Sequence, residues 1–365
     1  MQVNPSDPSF GRRLLQDFMS LPAWTASTRP WHLPLLASLC VGFPALLGVH
    51  FGRFDSGILA SIGALVILYM PATSIPHRMV TLAVCSIGLT ACFALGVSTS
   101  FSPYVSALVL GLTTTLVTLI TRFYALPPPG SFFFILVAAV AGTLPFNPAL
   151  IPAHVGLFVL GGIQACLLAF VYSLLVARQA TPKPAPPPRA RRAEGIIPDS
   201  IVIGLFVGGS LLLAQFLGLD NPYWVPISCA AIMQGATFRA VWHRKIHRII
   251  GTAIGMGLAW VIFSLPFGPW ELVGVIMALN FMVEFLVVRN YGLAVIFITP
   301  LTVLLAEAST VALPPDQLVL ARMFDIVLGS FIGFVGGVIL HHPEILARLE
   351  ARRRAKGPAP AAGKR

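Results

Sequence analysis

The chain has 365 residues, of which 56% are hydrophobic and 10% charged, and 24 lysines and arginines against 13 acidic residues give it a net charge of +11. With a mean hydropathy of +0.85 and apolar runs long enough to cross a hydrocarbon core of ~30 Å, this composition excludes a soluble globular domain and describes an all-α polytopic membrane protein. Pleated alternation is absent, which argues against a transmembrane β-barrel.

Residues 1–30 form a cytoplasmic N-terminal segment. Phe10, Leu14, Leu15 and Phe18 recur there at helical spacing opposite Arg12, Arg13 and Asp17, which suits a helix lying in the inner interface; a frayed tail is the alternative. No cleavable signal is visible, because the first apolar run starts after a long polar or mixed stretch and has no small-x-small site close behind it. Residues 31–178 hold six predicted spans, at 33–49, 56–70, 79–97, 102–120, 131–144 and 155–177. Residues 179–198 are a cytoplasmic linker whose prolines favour an extended conformation and whose arginines hold it inside. Six more spans follow in residues 199–342, at 200–219, 223–237, 249–265, 270–288, 291–306 and 322–340, before a basic cytoplasmic tail at 343–365. The shorter spans are expected to be tilted, re-entrant or sheltered by neighbours. Cys40, Cys85, Cys92, Cys166 and Cys229 all fall inside predicted helices and read as small packing residues, with no disulfide framework or CxxC pair.

With the N-terminus in the cytoplasm, every lysine and arginine except Arg53 and Arg322 falls on the inner side, as the positive-inside bias requires. Both termini are therefore expected inside. The same distribution accounts for the net charge through topology and an anionic leaflet, so no nucleic-acid partner is needed.

The two sets of six spans look like copies. Asp55 matches Asp220, Arg78 matches Arg244, Arg122 matches Arg289, His154 matches Arg322, and Leu160-Gly161-Gly162 matches Leu328-Gly329-Ser330, with a drift of only a few residues. An even number of crossings in each half makes the repeats parallel, related by an axis near the membrane normal. At this register, Thr114 and Thr118 of the fourth span stand where Asn280 and Glu284 stand in the tenth, each pair four residues apart on one helix face, and each face is followed by an arginine, Arg122 or Arg289. Polar groups in hydrocarbon usually face a bundle interior or a watery cavity, which assigns these faces to a pathway near the pseudo-axis. The competing reading has the threonines bonding back to their own helix and Glu284 pairing with Arg289.

Tyr223-Trp224, Gln234, Phe238-Arg239 and the run RKIHRIIGTAIG from Arg244 to Gly255 together resemble the fusaric acid resistance, or aromatic acid exporter, family. ARMFDIVLGSFIGF, from Ala321 to Phe334, looks like that family's closing helix, and the two-times-six layout covers nearly the whole chain. The first half matches more loosely: it lacks the Tyr-Trp pair and has Leu68 in place of Gln234. The resemblance implies a bacterial inner-membrane exporter of small organic anions, aromatic carboxylates among them, driven by protons and needing no cofactor. Periplasmic adaptor and outer-membrane proteins are further partners in this picture. The wider group also resembles the plant malate channels, in which two six-helix subunits form one anion pore.

Arg239, Arg244, Lys245 and Arg248, with Arg78 and Arg122, could focus a positive potential at the inner mouth and gather carboxylates. Ordinary positive-inside signalling and contact with anionic lipid are the alternative. Arg239 and Arg244 are the preferred pathway residues because they follow directly on the helix that carries Gln234. For proton coupling the candidates are Glu284 and Asp325, carboxylates inside apolar helices; Asp325 also lies three residues from Arg322 on one face, as a static ion pair would. His243 and His247 have helical metal spacing, but basic neighbours crowd them and no carboxylate follows, which speaks against a metal site. His341, His342 and Glu344 read as an interfacial stop, and Phe132 to Phe134 as lipid-facing bulk. The chain shows no phosphate-cradling glycine loop and no catalytic constellation, so it is not read as an enzyme or an ATP-driven pump. A coupled exporter, a passive anion channel and a non-transporting membrane scaffold all stay open at this point.

Overall fold

The computed structural model describes residues 29–177, 193–234, 238–307 and 315–341; the side chains of 177, 193–194, 238–246, 306–307, 315–321 and 341 are outside the description. The expected N-terminal interfacial helix, most of the linker and the basic tail therefore lie outside the described residues. Every regular element among the described residues is helical. In chain order these are α1 (His32–His50), α2 (Phe54–Gly63) continued by a 3-10 helix (Ala64–Tyr69), α3 (Ile75–Thr99), α4 (Pro103–Phe123), α5 (Phe132–Ala141), α6 (Ile151–Ala177), α7 (Ala193–Phe216), α8 (Trp224–Met233), α9 (Phe238–Ser264), α10 (Pro269–Leu286), α11 (Tyr291–Glu307) and α12 (Pro315–His341).

Eight of these are long and apolar enough to cross a membrane: α1, α3, α4, α6, α7, α9, α10 and α12. α5 and α8, at ten residues each, are only about 15 Å long and too short to cross upright. The chain is an all-helical polytopic membrane protein. Three helices start about two turns or more earlier than expected. The basic stretch before residue 249 is the first part of α9 and not a loop, α7 takes in the end of the expected linker with Pro198 inside it, and α12 starts at Pro315. The apolar run marks only the part of a helix that lipid or protein must cover, while backbone hydrogen bonding carries the helix on into water.

Burial sorts each long helix into a protein face and a lipid face. On α4, Ala107, Leu110, Thr114 and Thr118 are buried, whereas Leu108, Leu112, Leu116 and Ile120 form an exposed stripe at four-residue spacing. The short helices are enclosed instead. All ten residues of α8 are buried, and Phe134 of α5, expected to face lipid with its neighbours, is also buried and packs beside the Tyr69 ring with centroids 5.2 Å apart. Where protein covers a helix on all sides, its ends need not reach the membrane surfaces.

The first six helices and the second six share a packing plan. α2 packs on α6 as α8 does on α12; α3 packs on α5 and α6 as α9 does on α11 and α12. The halves exchange partners, with α4 against α7 and α10 against α1, and with the short helices meeting as α5 on α8 and α11 on α2. The helix ends match as well. Arg53 N–H donates to Gly48 O and Leu219 N–H to Ala214 O, each across a glycine in the left-handed region, Gly52 at φ 65° and Gly218 at φ 68°, the Schellman ending that favours glycine. Small residues permit the closest crossings: Gly161 abuts the Ala60 carbonyl and Gly329 the Val225 carbonyl, while Gly111 lies against Gly204 and Gly208.

Candidate functional site

Two ion pairs tie the halves together, and in both the first half supplies the arginine and the second half the carboxylate. Arg29, just ahead of α1, reaches Glu284 of α10 at 2.8 Å; Arg122 of α4 reaches Asp199 of α7, also at 2.8 Å. The pairs differ in setting. The Glu284 side chain is 8% exposed, whereas Arg122 and Asp199 are each 29% exposed. Arg289 makes no ion pair with Glu284: it donates to the Phe285 carbonyl of its own turn and stacks on the Phe285 ring at 3.8 Å.

The polar faces of α4 and α10 are turned inward. Thr114, Thr118 and Asn280 are all buried. Neither threonine bonds back to its helix; both hydroxyls and the Asn280 Nδ2 lack a partner among the described residues. Ser38 of α1 donates to the Met277 carbonyl of α10, so the opposing helix supplies polar contact on this seam too.

The arginines of α3 and α9 are used differently. Arg78 stitches the turn before α3 to α6: Nε donates to Pro71 O at 3.0 Å, Nη2 to Thr73 O at 3.1 Å and Nη1 to Ser173 Oγ at 2.8 Å. Arg248, at 7% exposure, makes one hydrogen bond, from Nη2 to Ser228 Oγ of α8 at 3.2 Å, and its Nε has no acceptor among the described residues. Gln234 caps the end of α8, and its Nε2 is buried without a partner. The side chains of Arg239 and Arg244 lie outside the described residues, although α9 carries both on its first turns.

Farther along α8, Arg322 lies over the Trp224 ring, 3.0 Å from its centroid, and donates to Thr302 Oγ1 of α11. Arg322 and Asp325 are both buried, at 3% and 2% exposure. Sequence reasoning singled out neither Arg29 nor Asp199, and it gave Arg248 no role of its own. A comparison of the charges at each end of the two copies could have found the first two, since each faces a charged residue of the other copy.

A search of known proteins bears on this arrangement in two ways. A membrane protein of Bacillus subtilis (strain 168), YvaC, which is itself uncharacterized, is 24% identical over an alignment covering 86% of this chain and 73% of that protein. No solved structure matches. The family model described as fusaric acid resistance protein-like matches residues 209–336, the region from α7 to α12 that holds Arg248, Arg322 and Glu284, and so the second half of this membrane protein is fusaric acid resistance protein-like.

Proposed function

We propose that this protein exports small organic anions, aromatic carboxylates among them, across the bacterial inner membrane at the expense of the proton gradient. In this reading two parallel six-helix repeats, both entered from the cytoplasm, rock about the seam between them. The observation that carries the reading is the thin centre: α5 meets α8 and α2 meets α11, and both α5 and α8 are only ten residues long. Helices of about 15 Å span only about half of a ~30 Å core, and two of them meeting between the halves favour a pathway there over a scaffold. Buried guanidinium groups along α8 give the pathway its preference for anions. Gln234, Arg239 and Arg244 stand at the inner entrance in this scheme, and Thr118 and Asn280 line the seam.

Glu284 is the proposed coupling residue, with Asp325 the second candidate. An ionised Glu284 holds Arg29 of the other half, and a protonated one releases it, so proton binding changes a contact between halves. Growth of a deletion strain across a panel of weak aromatic acids tests the reading, together with acid uptake into everted vesicles. Heightened sensitivity and proton-dependent uptake are expected. Unchanged growth on every acid, with no uptake, would favour the scaffold.

A further inference from the structure

Among the described residues Arg248 is a buried charge without a counter-charge. Its guanidinium has five N–H donors, one of which is spent on Ser228, its Nε is buried with no acceptor, and it forms no ion pair with a described residue. Neither α8 nor α9 contains a single acidic residue. Ser228 is itself fully buried, and α12 closes over it, since a Cβ added at Gly329 would stand 2.8 Å from the Ser228 Cβ. A buried guanidinium that keeps a desolvated donor without an acceptor is costly, and such groups persist where an anion arrives to offset the desolvation.

Packing does not demand this arginine. Arg248 lies four residues beyond Arg244, and the corresponding residue of the first half, four beyond Arg78, is Leu82, a fully buried leucine. The same fold position is thus filled by hydrocarbon in one half and by a cation in the other.

We propose that Arg248, oriented by Ser228, binds the carboxylate of the transported anion. This rests on the transport reading above and names the group that recognises the substrate. The Ser228 hydroxyl fixes one edge of the planar fork and leaves Nε and the other donors for a two-point contact with a planar carboxylate. Lysine at this position would keep the charge and lose the two-point geometry.

The test is titration of benzoate into the full-length protein in nanodiscs of neutral lipid, read by calorimetry, with uptake of labelled benzoate into everted vesicles measured in parallel. Arg248→Leu, which copies the first half's own solution at this position, is expected to lose benzoate binding. Arg248→Lys should weaken it about tenfold or more, and Ser228→Ala should weaken it less. The lysine variant keeps the test open should the leucine variant fail to fold. Wild-type affinity in both Arg248 variants, with uptake intact, would overturn the assignment and leave the transport reading standing. Absence of both binding and uptake in the wild type would overturn both. Benzoate binding in neutral discs that anionic lipid abolishes completely would show that Arg248 holds a lipid phosphate and overturn the assignment.

Discussion

Arg78 of α3 and Arg248 of α9 both lie in the first half of their helix, and the protein uses them in opposite ways. The first is consumed by three hydrogen bonds, two of them to backbone carbonyls, and locks the turn before α3 to α6. The second is buried deeper and holds a single hydroxyl. An arginine spent on carbonyls serves architecture, whereas one that keeps a buried donor without an acceptor is the one proposed to hold a ligand.

The largest effect is expected at the seam, where the two inter-half ion pairs differ in burial. Glu284→Gln should reduce proton-linked uptake to background at normal protein levels, whereas Asp199→Asn, in the more exposed pair, should change it by less than about twofold. Equal losses in both variants would mean that the pairs merely hold the halves together. Next in size is a contrast in stability. Arg78→Leu strands two carbonyls and a serine and should cost about 2–4 kcal/mol, seen as a lower Tm in detergent. Arg248→Leu removes an uncompensated charge and should leave Tm unchanged or raise it. A sharp fall in Tm for Arg248→Leu would make it a structural residue like Arg78. The smallest effect belongs to Gln234→Leu, which copies Leu68: the buried Nε2 has no partner among the described residues, so Tm should hold while the apparent affinity for benzoate shifts by about fivefold or less.

The helices were legible in the sequence because each apolar run has to be covered, and the matched pairs such as Arg78 with Arg244 are consistent with the packing plan that the two sets of six helices share. The inner ends were harder to read. Charge ended the predicted ninth span at residue 249, yet α9 starts at Phe238, since a helix leaving the membrane needs no apolar surface. Pairings across the seam could not be read locally, because Arg29 and Glu284 are 255 residues apart and helix spacing offered Arg289 as the nearer partner. Phe134 was misjudged as lipid-facing for a related reason. An all-apolar ten-residue run looks the same whether it meets lipid or lies inside a ring of other helices, and only the packing of α5 against α3 and α8 distinguishes the two. The polar faces of α4 and α10 were visible as four-residue repeats, but the helix covering each one belongs to the other half.

Flux of labelled benzoate from proteoliposomes containing the purified protein tests coupled anion export most directly, with a proton gradient imposed in one arm and a membrane voltage without a proton gradient in the other. The account predicts flux in the first arm alone, lost in Glu284→Gln. Flux sustained by voltage alone, and indifferent to Glu284→Gln, would contradict it and identify a passive anion channel.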